Sequence, residues 1–370
     1  MKDLLPKIGP EPAIERVKIS LPIEDVFSCF ETEPDAAFLN SSLMTDQSRF
    51  SFIGLDPMIK IKSPSSGEHS KDTILSFNKE DIIIQEDPFD ILDELLKIYH
   101  VKNNTPFPFI GGGIGYFGYD LKDRLEKLPS TAQDDLYLPD LYFVIYRTVL
   151  IHDKNDPEVL HISVLETGGK DRLAAKEVTD RVKKILKNAG NAPEPKSFSR
   201  KDRTSLSSNF SKEDYIKAIK KALEYIRNGD IYQVCLSQRF KAEWPLSPYS
   251  LYTRLNNINP SPFSAFLNYG DHQIISSSPE LFLKISGGFA ETRPMKGTRP
   301  RGETPEEDLC LKNALNSSIK DSAELLMIVD LERNDLGRTA IPGSIKVEEN
   351  RRIESHPTVF QTIAVIKSKI

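Results

Sequence analysis

The chain has 370 residues, 39% hydrophobic and 28% charged, with a formal net charge of −5. That is an ordinary composition for a folded water-soluble protein, long enough for two domains or one large intertwined unit. An acidic chain without a basic tract excludes a nucleic-acid footprint, and no window approaches the roughly 18 consecutive apolar residues of a membrane span.

The N-terminus, M-K-D-L-L-P-K-I-G-P, holds no apolar signal core. Residues 1–150 read mostly as strands: V-K-I-S-L-P, F-S-F-I-G-L and M-I-K-I-K are short alternating runs separated by Pro, Gly and Asp turns. One helix is predicted from Phe89 to Tyr99, with Ile91, Leu92, Leu95 and Leu96 on one face. Gly113-Ile-Gly115-Tyr-Phe-Gly118 matches G-x-G-x-x-G, but Pro106, Phe107, Pro108 and Phe109 make a poor preceding strand. Only a short helix can follow, so these glycines read as places of turning and close packing, not as a dinucleotide site. Residues 141–153 look like a buried strand with 158–166 as its hairpin partner, and a charged helix occupies 170–190.

The stretch from Asn191 to Asn209 is rich in Pro, Ser, Lys and Arg. It sets the expected organisation: an N-terminal region 1–195, a linker 196–210 and a second region 211–370. Ser211 and Asp214 resemble a capping box, Ile216, Ile219, Leu223 and Ile226 continue a helical stripe, and Gly229 ends it. A strand is predicted over I-Y-Q-V-C-L-S-Q-R-F (231–240), and more at 263–269, 272–277 and 280–286. Thr304, Pro305 and Glu307 announce a helix, and another is predicted from Asp321 to Leu331. Strands then helices in each half give an α+β class with antiparallel sheets. Cys29, Cys235 and Cys310, with no C-x-x-C, suit reduced thiols in the cytoplasm. None of them lies in a Gly-x-Cys-x-Gly elbow, so the chain has no thiol nucleophile of that type to release glutamine nitrogen.

Four cations crowd E-T-R-P-M-K-G-T-R-P-R-G (291–302): Arg293, Lys296, Arg299 and Arg301. Neighbouring cations favour an uncharged lysine amine, which attacks electrophiles, and arginines clamp carboxylates in bidentate fashion. The alternative is an anion-binding or salt-bridged hairpin without chemistry. Asp321 and Glu324 lie three apart on one helix face, a spacing that suits either Mg²⁺ or the helix dipole. Glu280, after S-S-S-P (276–279), stands where one strand turns into the next, as a working carboxylate or a turn residue. The six histidines are scattered and offer no zinc cluster.

S-S-S-P-E-L-F-L (276–283), R-P-M-K-G-T-R-P-R-G (293–302) and A-E-L-L-M-I-V-D-L-E-R-N-D-L-G-R (323–338) resemble the chorismate-binding enzymes. That family includes anthranilate synthase component I, aminodeoxychorismate synthase component I and isochorismate synthases. G-D-I-Y-Q-V-C-L-S-Q-R-F (229–240), N-P-S-P-F-S-A-F-L (259–267), R-F-S-F-I-G-L-D-P (49–57) and F-I-G-G-G-I-G-Y-F-G-Y-D-L (109–121) are similar to further family segments. The resemblance implies an αββα-type sandwich and a Mg²⁺-dependent reaction on chorismate. It assigns Asp321 and Glu324 to the metal, Glu280 to acid/base work, and Gly297 and Thr298 to the substrate pocket.

Lysine before that Gly-Thr is similar to the aminodeoxychorismate synthases, where anthranilate synthases carry alanine. The implied reaction is amination of chorismate to 4-amino-4-deoxychorismate, the precursor of p-aminobenzoate and folate, through a covalent adduct on Lys296. Ammonia would come from a glutamine amidotransferase subunit. The alternatives are an anthranilate synthase component I, with attack at C2, an isochorismate synthase using water, or a non-catalytic subunit that binds the partner. Leu325, Cys235 and Gln361 depart from the family pattern, where asparagine, asparagine and histidine are common. The family's G-S-I-T-G-A-P-K-like loop, R-G-x-Y-x-G-like segment and second metal carboxylates belong after position 370, so the resemblance implies a C-terminally incomplete sheet, pocket and metal shell, and poor activity of this chain.

Overall fold

A computed structural model describes residues 5–9, 11–65, 72–129, 133–167, 175–189 and 205–370. They fall into two compact units, Met1–Ala192 with Tyr252–Ile370, and Pro193–Leu251. Residues 196–204 of the expected linker lie outside the described residues.

The first unit opens with β1 (Ala13–Lys18), α1 (Ile23–Ser28), β2 (Ala37–Asn40) and β3 (Phe50–Ser63). β4 (Thr73–Phe77), β5 (Glu80–Ile84) and α2 (Pro88–Ile98) follow, then β6 (Gly112–Phe117), α3 (Lys122–Leu125), β7 (Leu141–Asp153), β8 (Val159–Val164) and α4 (Ala175–Ala189). The two runs read as separate strands at 51–62 are one strand, β3. Asp56 takes a positive φ of 55° and the register against β7 slips between Pro57 and Ile59. A bulge accommodates a proline that has no N–H for the ladder. β7 pairs with β3 along its length, with β6 on its first half and with β8 on its second. The glycine motif lies in β6, not at a nucleotide turn. A Cβ on Gly115 would sit 2.1 Å from the Tyr142 carbonyl oxygen, so only glycine lets β6 approach β7 there. α2 is capped by Asp87, which accepts from Phe89 N at 2.8 Å, and Pro88 starts it. Ile91, Leu92 and Leu95 pack on Ile59, Ile61, Leu75 and Ile145, whereas Leu96 is 45% exposed, one helical step off that stripe.

The second unit contains β9 (Ser207–Ser208), α5 (Lys212–Asn228) and β10 (Phe240–Lys241). Its helix ends are as predicted: Ser211 accepts from Asp214 N, and Gly229 closes the helix at φ 80°. The strand predicted over 231–240 is not formed, and only its last residue enters a two-residue pairing with β9. An apolar run becomes a strand only where another strand takes its hydrogen bonds, and 231–239 has none among the described residues.

Next come α6 (Pro248–Ile258), β11 (Phe263–Asn268), β12 (Gln273–Ser278), β13 (Lys284–Ser286), β14 (Phe289–Thr292) and β15 (Met295–Pro300). α7 (Pro305–Asn316), α8 (Ile319–Gly337), β16 (Lys346–Ser355) and β17 (Val359–Lys369) complete the chain. β11 pairs with β2, Phe266 opposite Phe38, so the ten-stranded sheet draws strands from both sides of the expected linker. The five-stranded sheet is ordered β13-β14-β17-β15, with β16 also on β17. Strand pairs in both sheets are antiparallel and neither closes into a barrel, the α+β class with antiparallel sheets expected from the order of elements. α8 runs longer than predicted and lays Leu325, Val329 and Leu336 on Ala290, Ala364 and Ile366 of the five-stranded sheet. Each such side chain contributes about 1.5–3 kcal/mol by leaving water. This sheet and α8 position Lys296, Gly297, Thr298, Asp321 and Glu324. No helix among the described residues is long and apolar enough to cross a membrane.

Candidate active site

The cation-rich segment is mostly strand. β15 pairs with the central β17, Lys296 opposite Thr362 and Thr298 opposite Gln361, with a bulge between them at Gly297. Gly297 has φ +79°, and a Cβ there would stand 2.9 Å from Asp321 Cβ and 3.0 Å from Leu315 Cδ1. The bulge therefore presses the backbone beside Lys296 directly onto the first turn of α8. Thr362 donates its hydroxyl to the Lys296 carbonyl, which fixes the residue before the bulge. From the other side, Glu280 Oε1 accepts from Met295 N at 2.9 Å. The strand predicted at 280–286 starts only at Lys284 because residues 280–283 use other bonds: this carboxylate bond, Arg293 N to Leu281 O (3.2 Å), and Thr292 Oγ1 to Phe282 O (2.7 Å). Glu280, Lys296, Gly297, Thr298 and Asp321 thus gather around one bulged strand. Glu324 is one turn further along α8, with Lys320 Nζ 3.8 Å away.

The three arginines do not stand free for a substrate, contrary to expectation. Arg293 is 7% exposed and holds Glu291 at 2.6 Å and Asp46 at 2.9 Å. Arg299 holds Asp321 at 2.8 Å, and Arg301 grips both oxygens of Asp308, at 2.8 and 2.7 Å. The crowding of positive charge in the sequence is matched in space by carboxylates from other elements. Buried or half-buried guanidinium groups need such partners.

Asp308 also accepts from Gly302 N at 2.9 Å, and with Arg301 this lowers its carboxyl to about 2. The folded value lies below the ordinary 3.8, so this contribution to stability is complete above about 3.8 and is lost as pH falls towards about 2. An Asp308→Asn variant should therefore show a thermal midpoint that is flatter against pH in this window, read by circular dichroism melts.

Residues 42–370 match the family described as chorismate binding enzyme. The chain belongs to the chorismate binding enzyme family. It is 35% identical over 357 residues to anthranilate synthase component 1 of Acetivibrio thermocellus, covering 93% of this chain and 71% of that one. It is 33% identical over 325 residues to aminodeoxychorismate synthase component 1 of Bacillus subtilis (strain 168), covering 87% and 67%. Among solved structures, anthranilate synthase component I from Streptococcus pneumoniae TIGR4 is similar at a TM-score of 0.71 and 29% identity, over 89% of this chain and 70% of that one.

For a chorismate binding enzyme, the pair Asp321 and Glu324 is the place to test for a metal. Both offer hard oxygens on one helix face, and Mg²⁺ commonly takes one or two carboxylates with waters and substrate oxygens completing its octahedron. Against the upward push of burial, Ser318 and Arg299 hold the Asp321 carboxyl below the ordinary range, so the donor is ionised. No cluster of three or more His, Cys, Asp or Glu able to hold a metal occurs among the described residues. The donor set fits Mg²⁺ in kind, as a pair that substrate oxygens would have to complete.

The three family departures acquire a location. Leu325 is 2% exposed and belongs to the α8 core instead of the site. Gln361 lies against Thr298, its Nε2 3.5 Å from the Thr298 hydroxyl, while its Oε1 is buried without a partner. Cys235 is exposed in the second unit. The sequence reading missed Thr362, which only strand pairing brings to the site.

Proposed function

We propose that the chain aminates chorismate to 4-amino-4-deoxychorismate with Lys296 as covalent nucleophile. The observation that carries this reading is the bulge at Gly297. It puts the backbone one residue after Lys296 against Asp321, while Glu280 bonds Met295 N, one residue before Lys296. The free amine of Lys296 bonds to C2 of the ring, the double bonds shift, and the C4–oxygen bond breaks. Glu280 supplies the proton with which that oxygen leaves as water, and recovers one from the new lysine–carbon ammonium. Ammonia then bonds to C4, the double bonds shift back and the C2–nitrogen bond breaks, a proton passing through Glu280 to the departing amine. The sum is chorismate plus ammonia giving 4-amino-4-deoxychorismate plus water.

Gly297 lets the backbone beside Lys296 lie against Asp321, and Thr298 offers the substrate a hydroxyl. Asp321 and Glu324 are the residues that would hold Mg²⁺, which when bound supplies a hard positive charge for a substrate carboxylate. The ammonia source in this reading is a glutamine amidotransferase subunit, which suits a chain whose cysteines lie in no nucleophile elbow.

The test is incubation with chorismate, Mg²⁺ and ammonium chloride, followed by mass spectrometry and fluorescence. The expected product is 4-amino-4-deoxychorismate without anthranilate emission. Anthranilate would move the attack of ammonia from C4 to C2, and ammonia-independent isochorismate would replace the nitrogen nucleophile by water. Either result sinks the proposal, as does capture of an amidotransferase with no turnover at all.

A further inference from the structure

Arg293 stands in the middle of the clamp that holds the Glu280 segment. Thr292 before it bonds the Phe282 carbonyl, and Met295 after it bonds Glu280. Its own N–H donates to the Leu281 carbonyl oxygen at 3.2 Å. The residue is only 7% exposed, and a guanidinium so placed stays put only where acids meet it.

Glu291 accepts from Arg293 Nε at 2.6 Å, but it also faces Lys367 Nζ at 3.4 Å. Asp46 takes Arg293 Nη1 with both of its oxygens, at 3.1 and 2.9 Å. Arg352 comes no closer to Asp46 than 3.6 Å and has Glu349 at 3.0 Å and Glu354 at 2.7 Å. Asp46 is therefore the acid that answers Arg293. It lies between β2 and β3 of the ten-stranded sheet, whereas the other charged groups of this network belong to the five-stranded one. The turn that carries it is fixed. Thr45 N donates to Ser48 Oγ at 2.6 Å, Gln47 N to Thr45 Oγ1 at 3.2 Å, and Leu43 N to the Ser261 carbonyl oxygen at 3.3 Å.

We propose that Asp46 is a positioning residue for Glu280, acting through Arg293. Anchored in one sheet, it fixes the guanidinium of the other, and so keeps the Arg293 N–H on Leu281 and the Met295 N–H on the Glu280 carboxylate. This rests on the acid/base role assigned to Glu280. Without Asp46, Arg293 is left buried with a shared acid, and relief comes by turning towards solvent, which draws its backbone off Leu281.

Asp46 is half-exposed on its turn, so Asp46→Ala should fold, as its melting curve will show. Hydrogen exchange followed by mass spectrometry of peptides covering 292–296 needs no turnover. The amides of Arg293 and Met295 should exchange about tenfold faster in the variant, while β7 keeps its rates. Unchanged exchange at these two amides overturns the proposal. In the chorismate assay, Asp46→Ala should lower kcat about tenfold and leave KM within about twofold, because a small displacement of a reacting group costs rate and Asp46 does not touch substrate. In a Glu280→Gln background the same change should cost less than about twofold. A tenfold loss that persists there shows a general structural role and also overturns the proposal. Absence of any chorismate chemistry counts against the proposed function, and the exchange result then decides the part played by Asp46 separately.

Discussion

Replacing Lys296 by alanine should abolish amination, by about a thousandfold or more, and leave the fold intact. The scale is that of a lost covalent nucleophile, where residual rate comes only from binding and orientation. Structural damage should be small, because among the described residues Lys296 makes no ion pair and its backbone bonds, to Thr362 and along β15, do not use the side chain. Such a change belongs with substitutions that shift stability by less than about 1 kcal/mol. The decisive measurement is mass spectrometry of the intact chain after chorismate and Mg²⁺ without ammonia. An adduct should appear, map to Lys296 and be absent from Lys296→Ala. An adduct of unchanged yield in the variant would rule out this nucleophile, and an unfolded variant would show itself first in its melting curve. Arginine at this position retains the charge but not the nucleophilic amine, so Lys296→Arg should behave like alanine in the adduct assay.

What was legible in the chain beforehand was local. The caps of α5 at Ser211 and Gly229, and of α7 at Thr304, involve residues three or four apart, and their chemistry is written into adjacent positions. The glycine motif was legible as packing because its flanks lack the strand and helix of a nucleotide turn. The family resemblance named Glu280, Lys296 and Asp321, but no spacing says that Glu280 and Asp321 meet the strand on either side of Lys296. Neither could spacing reveal the partner of Arg293, since Asp46 is 247 positions away. The crowding of cations was real in sequence and misleading in space: carboxylates from a distant loop, from the adjoining strand β14 and from two helices meet it. The predicted strand at 231–240 failed for a related reason. A strand is completed by a neighbour, and a sequence window does not contain the neighbour.

Adding a single methyl group at position 297 should damage both stability and chemistry, and a second glycine provides the control. Gly297 (φ +79°) and Gly343 (φ +77°) share the left-handed backbone region. An alanine at either pays about 1 kcal/mol for that conformation. At Gly343 the new Cβ meets nothing within 4 Å, so Gly343→Ala should show only this penalty and normal turnover. At Gly297 the Cβ falls 2.9–3.0 Å from Asp321 and Leu315, and both neighbours resist. Asp321 is bonded to Arg299, and Leu315 is fully buried at the end of α7. Overpacking of this kind adds about 1–3 kcal/mol, and relief comes only by moving β15 off α8. That motion separates Lys296 from the carboxylates of α8, and a displacement of about 1 Å in a reacting pair lowers rates about a hundredfold. Urea unfolding and the chorismate assay, run on both variants, read the two effects independently. A Gly297→Ala protein as stable as Gly343→Ala and as active as the parent would show that the contact between the bulge and Asp321 does not hold the site together.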